Sequence, residues 1–173
     1  MKQRNNFEEE PSMGFLNAGD TINGKTARAY ITINGVVEEL FYAKTLEATV
    51  EKSKSEVQIL GKRQVAHKAS GWSGSGTLTI YYMTSYFRSL MMKYITDGID
   101  TYFDLHVTNE DPASTVGPQT VILKQCNMDS VIMAKFDITS DDALEEEVAF
   151  TFDDVELTTP FLAPSQAAAG QAE

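Results

Sequence analysis

Residues 77–98 read TLTIYYMTSYFRSLMMKYITDG, and the hydrophobic period changes part-way along this stretch. In Thr77–Met83 the apolar and polar residues alternate, which is typical of a strand with one buried face. From Phe87 onward the apolar residues recur at the spacing of one helix face. The buried strand face is predicted to hold Leu78, Ile80 and Tyr82, and the helix face Phe87, Leu90, Met91, Tyr94 and Ile95. The stretch therefore predicts a strand followed by an amphipathic helix packed on a sheet.

Both ends of this predicted helix have suitable capping residues. Thr84 or Ser85 precedes the first turn, where a hydroxyl can accept a hydrogen bond from a free N–H group. Gly98 follows the last turn, where a left-handed glycine commonly ends a helix. We expect the five apolar side chains to be buried, at roughly 1.5–3 kcal/mol each.

Strands are predicted on both sides of this stretch. Thr26–Ile33 alternates and runs directly into Asn34-Gly35, the strongest short signal for a two-residue hairpin turn. Further strands are predicted at 46–51, 103–107, 121–123 and 131–136, with a turn at 127–130. The last strand, at 146–157, needs a bulge near Asp153-Asp154 to restore its phase. The predicted fold is mainly β: an antiparallel sandwich or barrel with one packed α-helix.

The chain of 173 residues has the size of one domain. We expect a β-domain over residues 21–160, a flexible N-terminal segment at 1–20 and a flexible C-terminal tail at 161–173. Residues 52–70 have too few apolar side chains to pack alone and are predicted to form a projecting arm, for which a protruding hairpin is one shape. The glycine-rich stretch 71–76 is predicted to be its flexible base.

The composition excludes several functional classes. A net charge of −11 with 14 Lys and Arg argues against a protein that grips nucleic acid, although DNA can pass such a surface without binding. One cysteine, Cys126, rules out an intramolecular disulfide. No apolar run reaches the length of a membrane span, and no signal-type apolar region follows the N-terminus, so we expect a protein made in the cytoplasm.

The sequence contains few of the residue patterns that are typical of catalytic or metal-binding sites. Residues 71–76 lack the Lys-Ser/Thr ending of a phosphate loop. The only histidines, His67 and His106, have no metal-ligand spacing, and no partner pattern makes Cys126 a nucleophile. Asn109-Glu110-Asp111 is either a turn before proline or a calcium loop, and the turn is favoured. We predict no enzyme activity, no cofactor and no metal.

Read in order, seven segments resemble a known family. They are the run from 22–25 (INGK) to 42–44 (YAK), then 46–52 (LEATVEK), 71–76 (GWSGSG), 77–82 (TLTIYY), 107–112 (VTNEDP), 129–135 (DSVIMAK) and 145–152 (EEEVAFTF). This order resembles the tail tube (tail core) protein of contractile-tailed phages and of phage-like prophage particles of Gram-positive bacteria. The resemblance covers roughly residues 21–160.

The resemblance implies a structural virion protein. In that family, hexameric rings stack into the hollow inner tube of the tail, inside a contractile sheath, and DNA passes through it into the host. The implied partners are further copies of the chain and the sheath, tape measure, tail terminator and baseplate proteins. The implied location is the virion tail, after assembly in the host cytoplasm.

Three sets of residues are predicted to serve assembly. The arm is predicted to contact a neighbouring subunit or ring through Lys52, Lys54, Val57, Ile59, Leu60, Lys62, Arg63 and Trp72. Its cations are predicted to pair with carboxylates of the next subunit, namely Glu145, Glu146, Glu147, Asp153 and Asp154. The polar strand faces are candidates for the lumen wall, namely Glu47, Thr49, Glu51, Thr77, Thr79 and Tyr81. The sheath side or plain solvent are equal alternatives for these faces.

Two other functions stay open at this point. One is the tube of a phage-tail-like bacteriocin or of a secretion-type injection device, which uses the same kind of fold. The other is a monomeric binding module, such as a carbohydrate-binding sandwich with an aromatic platform of Trp72, Tyr81 and Tyr102. The neighbouring genes would distinguish a phage tail tube from the first alternative, and the oligomeric state would distinguish it from the second.

Overall fold

The computed structural model describes residues 16–163, and antiparallel strands make up most of this part of the chain. Two 3₁₀ turns, Ala18–Asp20 and Gly24–Thr26, precede the sheets. The elements that follow are β1 (Arg28–Ile33), β2 (Val36–Glu39), β3 (Ala43–Gln58), β4 (Val65–Tyr81), α1 (Tyr86–Asp97), β5 (Phe103–Asn109), β6 (Gln119–Ser130), β7 (Glu145–Phe152) and β8 (Asp154–Thr159). The predicted fold class, mainly antiparallel β with one helix, is confirmed.

The strands are paired in the order β2-β1-β5-β6-β7-β4-β3, and β8 pairs with β6. Strand β6 belongs to two sheets because it bends at Gln125, a non-glycine residue with a φ of 53°. The Asp104 carboxylate accepts the Gln125 N–H at 2.9 Å and holds this bend. The first part of β6 completes a sheet of β2, β1, β5, β6 and β8, called here the first sheet. Its last part, Asn127–Ser130, completes the hairpin sheet of β6, β7, β4 and β3.

The core lies between these two sheets. The first sheet buries Ile31, Leu105 and Leu123, and the hairpin sheet buries Leu78, Ile80, Val148 and Phe150. The alternation predicted for Thr77–Met83 is therefore confirmed at Leu78 and Ile80. The predicted hairpin turn is also confirmed, because Asn34 and Gly35 both have positive φ angles, 51° and 79°.

The glycine-rich stretch 71–76 is part of a strand, and its prediction as a flexible base is wrong. It lies in the middle of β4, where residues such as Gly74 and Gly76 are in register with β3 and β7. A Cβ at Gly74 would lie 2.3 Å from the Phe152 ring, and one at Gly76 would lie 2.5 Å from the Phe150 ring. Because these glycines have no side chain, the buried aromatic rings can pack directly against the backbone of β4.

The prediction of two strands around a turn at 127–130 is also wrong. One strand, β6, runs through that region, and residues 131–144 form an irregular loop. Cys126 is fully buried, and Asn127 and Met128 pair with β7. The residues that resemble a turn in the sequence therefore continue the strand. The predicted phase change near Asp153-Asp154 is real: the chain bends at Asp153, and β8 continues on β6.

Helix α1 matches its predicted position but not its predicted burial. Gly98 ends it with a φ of 68°, and the Thr84 hydroxyl accepts the Tyr86 N–H at 3.2 Å, while Ser85 occupies the cap position without a side-chain bond. Phe87 and Leu90 are buried, but Tyr94 and Ile95 are 55% and 63% exposed. Only the first half of the apolar face lies over the core, because that half is the one fastened to β7 through Arg88.

The predicted flexible ends fall largely on residues 1–15 and 164–173, which lie outside the described part of the chain. Where the structure describes them, both ends are hydrogen-bonded to the loop before β6. The Thr115 N–H donates to the Gly19 carbonyl at 3.0 Å, and the Leu162 N–H donates to the Val116 carbonyl at 2.7 Å.

Candidate assembly interface

The hairpin of β3 and β4 is much longer than the strand that supports it. Strand β7 pairs with β4 only from Gly74 to Tyr81, whereas β3 and β4 remain paired with each other as far as Gln58 and Val65. Beyond Trp72, residues 52–70 therefore form a two-stranded ribbon to which no third strand of residues 16–163 is added. The predicted arm is this ribbon, and its backbone is regular rather than loose. A register shift between Ser53 and Lys54 marks the point where it leaves the body.

The side chains predicted for the arm are exposed. Leu60 at the tip is fully exposed, and Val57 and Ile59 are each 40% exposed. The cations Lys52, Lys54, Lys62 and Arg63 are exposed as well. Trp72 lies at the base, with its ring centroid 6.4 Å from that of the buried Phe152. A ribbon with this many apolar side chains in water is typical of a segment that packs against another molecule.

The hairpin sheet has one continuous polar face. Register places Glu47 beside Thr77, Thr79 beside Glu147, and Tyr81 beside Glu145. Because side chains alternate along each strand, these residues share the face opposite the core. All of the predicted lumen residues lie on it: Glu47, Thr49, Glu51, Thr77, Thr79 and Tyr81. The sequence-based selection missed further members of this face, Thr45, Ser73, Ser75, Glu145, Glu147 and Thr151, which only the pairing register reveals.

Two of the predicted acidic partners are already paired within the chain. The Lys44 ammonium lies 2.5 Å from the Glu145 carboxylate. Glu146 is 1% exposed and forms an ion pair with Arg88, so its prediction as a partner for a neighbouring copy is wrong. The period-2 alternation of β7 turns this one carboxylate of the Glu145-Glu146-Glu147 run toward the core. Glu147, Asp153 and Asp154 remain exposed, and their pairing between subunits stays a prediction.

The ion pair of Arg88 and Glu146 belongs to a buried polar cluster that sequence reasoning did not find. The Arg88 guanidinium also donates to the Thr84 carbonyl and lies 4.2 Å from the centre of the Tyr82 ring. Burial raises the pKa of Glu146, and the attraction of Arg88 opposes this rise. Burial likewise raises the pKa of the Tyr42 hydroxyl to about 12. The cluster fastens the first turn of α1 to the start of β7.

Among residues 16–163, the strand segment at each edge of the hairpin sheet is hydrogen-bonded to a neighbouring strand on one side only. At one edge, β3 pairs with β4 alone within residues 16–163. At the other edge, Met128 and Ser130 of β6 pair only with β7 in the described part of the chain, because the β5 ladder ends at Cys126. Unpaired N–H and C=O groups along such edges are ready to pair with the strand of another chain.

The described residues offer little for catalysis. No group of three His, Cys, Asp or Glu side chains among residues 16–163 is placed to hold a metal ion. Burial raises the pKa of the Cys126 thiol to about 12, so it stays protonated at neutral pH. Both carboxylate oxygens of Asp111 accept backbone N–H groups, from Ala113 and Asn23 at 2.9 Å, which supports the turn. In the same residues, no helix has the length and apolar character of a membrane span.

Comparisons with known proteins agree with this architecture. The model of the family described as phage tail tube protein matches residues 14–159. XkdM of the phage-like element PBSX of Bacillus subtilis (strain 168) is 46% identical over 142 residues, which is 82% of this chain and 93% of that protein. The uncharacterized protein YqbM of the same organism is 45% identical over the same shares.

Two solved structures show the same fold at low sequence identity. The cap of the anti-feeding prophage has a TM-score of 0.63 at 13% identity, covering 86% of this chain and 97% of that one. A sheath–tube complex of the extracellular contractile injection system PVC has a TM-score of 0.60 at 15% identity, covering 76% and 88%. With a family model that matches most of its length and a relative at 46% identity, this chain belongs to the phage tail tube protein family.

Proposed function

We propose that this chain is the ring-forming subunit of a hollow tail tube. In this proposal six copies close into a ring, the rings stack inside a contractile sheath, and DNA passes through the lumen into the host. The observation that carries the proposal is the hairpin sheet, which among the described residues 16–163 has one unpaired edge at β3 and another at residues 128–130 of β6. When the β3 edge of one copy pairs with the β6 edge of the next, the contact is head-to-tail, and such contacts close into rings.

The polar face of the hairpin sheet is the proposed lumen wall. A ring that joins these sheets edge to edge turns one face inward, and the opposite face of each sheet is already filled by the core around Leu78 and Phe150. The inward face then carries hydroxyl groups and the carboxylates of Glu47, Glu51 and Glu147. Carboxylates repel DNA phosphates within the screening length of about 8 Å, so a strand slides instead of binding.

The proposed partners follow from this role. They are further copies of the chain, the sheath outside the tube, the tape measure protein inside it, and the terminator and baseplate proteins at its ends. The proposed location is the virion tail, after assembly in the host cytoplasm. The role is mechanical and needs no catalytic group or cofactor.

A second candidate is supported by the fold comparisons. The PVC structure is a sheath–tube complex of an extracellular contractile injection system, and it shares this fold with a TM-score of 0.60. A tube that punctures without carrying DNA therefore fits the same architecture. Purifying the particles that contain this protein and measuring nuclease-protected DNA separates the two: a phage tail is attached to a DNA-filled head, and a puncturing device is not.

Electron microscopy of the purified protein tests the assembly itself. We expect rings and long tubes of uniform diameter as the protein concentration rises, since each copy offers two complementary edges. Light scattering should show a threshold concentration for this growth. A protein that remains a monomer at every concentration, with its sheet edges protected from hydrogen exchange by its own chain, would overturn the proposal.

A further inference from the structure

The two ends of the hairpin sheet carry different surfaces. Residues 131–144, called here the acidic loop, connect β6 to β7 and lie at the end of the sheet where Glu145 pairs with Tyr81. The arm leaves from the opposite end, beyond the pair of Phe152 and Gly74. Edge pairing extends a sheet sideways, so in a ring built that way the strand ends point toward the rings above and below.

The acidic loop is apolar and negatively charged at its surface. Phe136 and Ile138 are 85% and 91% exposed, although side chains of this size are usually buried. Residues 131–144 contain three aspartates, Asp137, Asp141 and Asp142, and one cation, Lys135. The Lys135 ammonium donates to the backbone carbonyl of Glu145 at 2.8 Å, which anchors the loop to the start of β7.

The arm has the complementary character. Residues 52–68 contain five Lys and Arg and one Glu in a chain that is otherwise strongly acidic. Its exposed apolar residues, Ile59, Leu60 and Val65, lie at or beside the tip, next to Lys62 and Arg63. A basic rim around apolar side chains thus stands at one end of the sheet, and an acidic rim around apolar side chains stands at the other.

We infer that the arm tip of one copy binds the acidic loop of a copy in the neighbouring ring. This inference rests on the proposed tube function and names the surfaces that stack its rings. The contact is head-to-tail, so it repeats without limit along the tube. The arm is long enough to reach beyond its own body: its strand from Lys52 to Gln58 spans about 23 Å, close to the roughly 26 Å of the eight residues of β7.

The other exposed carboxylates do not suit this contact. Asp153 and Asp154 follow Phe152, so they lie at the same end of the sheet as the arm itself. An arm that points toward the next ring extends away from Asp153 and Asp154 of the other copies in its own ring. Asp153 and Asp154 of the same ring are therefore reachable only sideways, and those of the next ring lie at the far end of its β7, about 26 Å from its Glu145.

Charge reversal tests the inference. In the tip variant Lys62→Glu/Arg63→Glu, negative charges face the acidic loop, and juxtaposed like charges cost several kcal/mol. We expect the tip variant to form rings but to need more than about tenfold higher concentration to form tubes. The loop variant Asp141→Lys/Asp142→Lys should behave in the same way. The control Lys25→Glu/Lys93→Glu changes the net charge by the same amount as the tip variant at exposed sites elsewhere, and should form tubes normally.

Mixing the two variants gives the decisive result. The reversed tip of one fits the reversed loop of the other, and the two unchanged surfaces also fit, so an equimolar mixture should form tubes that neither variant forms alone. At the concentration at which the unaltered protein assembles, tubes from either single variant, or no tubes from the mixture, would overturn the inference while leaving the proposed function intact. Loss of rings in the tip variant would place the arm contact within a ring and would overturn it equally. If the unaltered protein forms no rings or tubes, the proposed function itself fails.

Discussion

The ring of Phe152 occupies the space in which a side chain at Gly74 would lie. A Cβ built on Gly74 meets three atoms of that ring within 2.6 Å, closer than real Cβ contacts. Phe152 is itself buried, and the strand pair of Gly74 and Phe152 is the last one before the arm leaves the body. The glycine therefore determines how the end of the core closes under the arm.

We expect Gly74→Ala to destabilise the protein by about 1–3 kcal/mol, because the ring and the backbone of β4 must move apart. Gly71→Ala is the matched control, since a Cβ there has no neighbour within 4 Å. Thermal unfolding of both variants measures the difference. Equal melting temperatures for the two would contradict the close packing at Gly74.

The buried ion pair gives a second prediction. Arg88→Met leaves the Glu146 carboxylate buried and unpaired, and we expect a loss of about 3–5 kcal/mol in the free energy of unfolding. The double variant Arg88→Met/Glu146→Met removes both charges and should recover most of that loss. Lys44→Met is the control, because it breaks the more exposed pair with Glu145 and should cost less than about 1 kcal/mol. Urea unfolding checks all three, and a double variant as unstable as Arg88→Met alone would contradict the role of the unpaired charge.

The Tyr42 hydroxyl gives a prediction about alkaline pH. Its pKa is raised to about 12 in the folded chain, mainly by burial, and lies near 10 in the unfolded chain. The stability that the neutral hydroxyl contributes is present below pH 10 and is lost as the pH rises toward 12, because only the unfolded chain ionises in that window. Between pH 8 and pH 11 the urea midpoint should therefore fall further in the unaltered protein than in Tyr42→Phe. Tyr81→Phe, at an exposed tyrosine, should fall as far as the unaltered protein, and the idea fails if Tyr42→Phe does the same.

Deleting the arm should leave a folded protein that no longer forms tubes. Residues 53–69 contribute no buried side chain to the core, so replacing them with a two-residue turn should preserve the circular dichroism spectrum and the cooperative unfolding. On size-exclusion chromatography we expect a monomer or at most a ring, and electron microscopy should show no tubes. An unfolded variant, or one that still forms tubes, would argue against an assembly role for the arm.

Reversing the charge of the proposed lumen wall should change how the tube treats DNA. Tubes of Glu47→Lys/Glu51→Lys assembled in the presence of DNA should retain a nuclease-protected fraction, because the polar face becomes a cationic channel. Glu38→Lys/Glu39→Lys makes the same charge change on β2 of the first sheet, and any DNA it binds should remain open to nuclease. Protection by the second variant and not by the first would place the polar face on the outside of the tube.

Local patterns in the sequence predicted much of this fold. Alternation identified Leu78 and Ile80 as core residues, and the Asn34-Gly35 pair identified the first hairpin, because both signals depend only on near neighbours. The wrong predictions came where a distant residue decides the outcome. Glycine occurs at positions 74 and 76 of a strand because the rings of Phe152 and Phe150 occupy the space of a side chain there. No local pattern in the sequence shows those rings.

The candidate site divides in the same way. The arm was predictable from its lack of core residues, and the alternating polar positions of β3 and β4 indicated one shared face. Glu146 was misassigned because its neighbours in the Glu145-Glu146-Glu147 run are similar, and only pairing with β4 and Arg88 shows which one points inward. The acidic loop was missed because 131–136 alternates like a strand, and the register of β6 ends before it.

Strand β6 passes through the bend at Gln125 from one sheet into the other, so both sheets share a single covalent backbone. In a tube of the proposed kind, a push along the axis that loads the hairpin sheet is transmitted through this backbone to the first sheet. Neither sheet can slide past the other without breaking the ladders that β6 makes with both β5 and β7. In the proposed tube each subunit therefore resists shear as one block, which is the mechanical property required of a rod that is driven through a cell envelope.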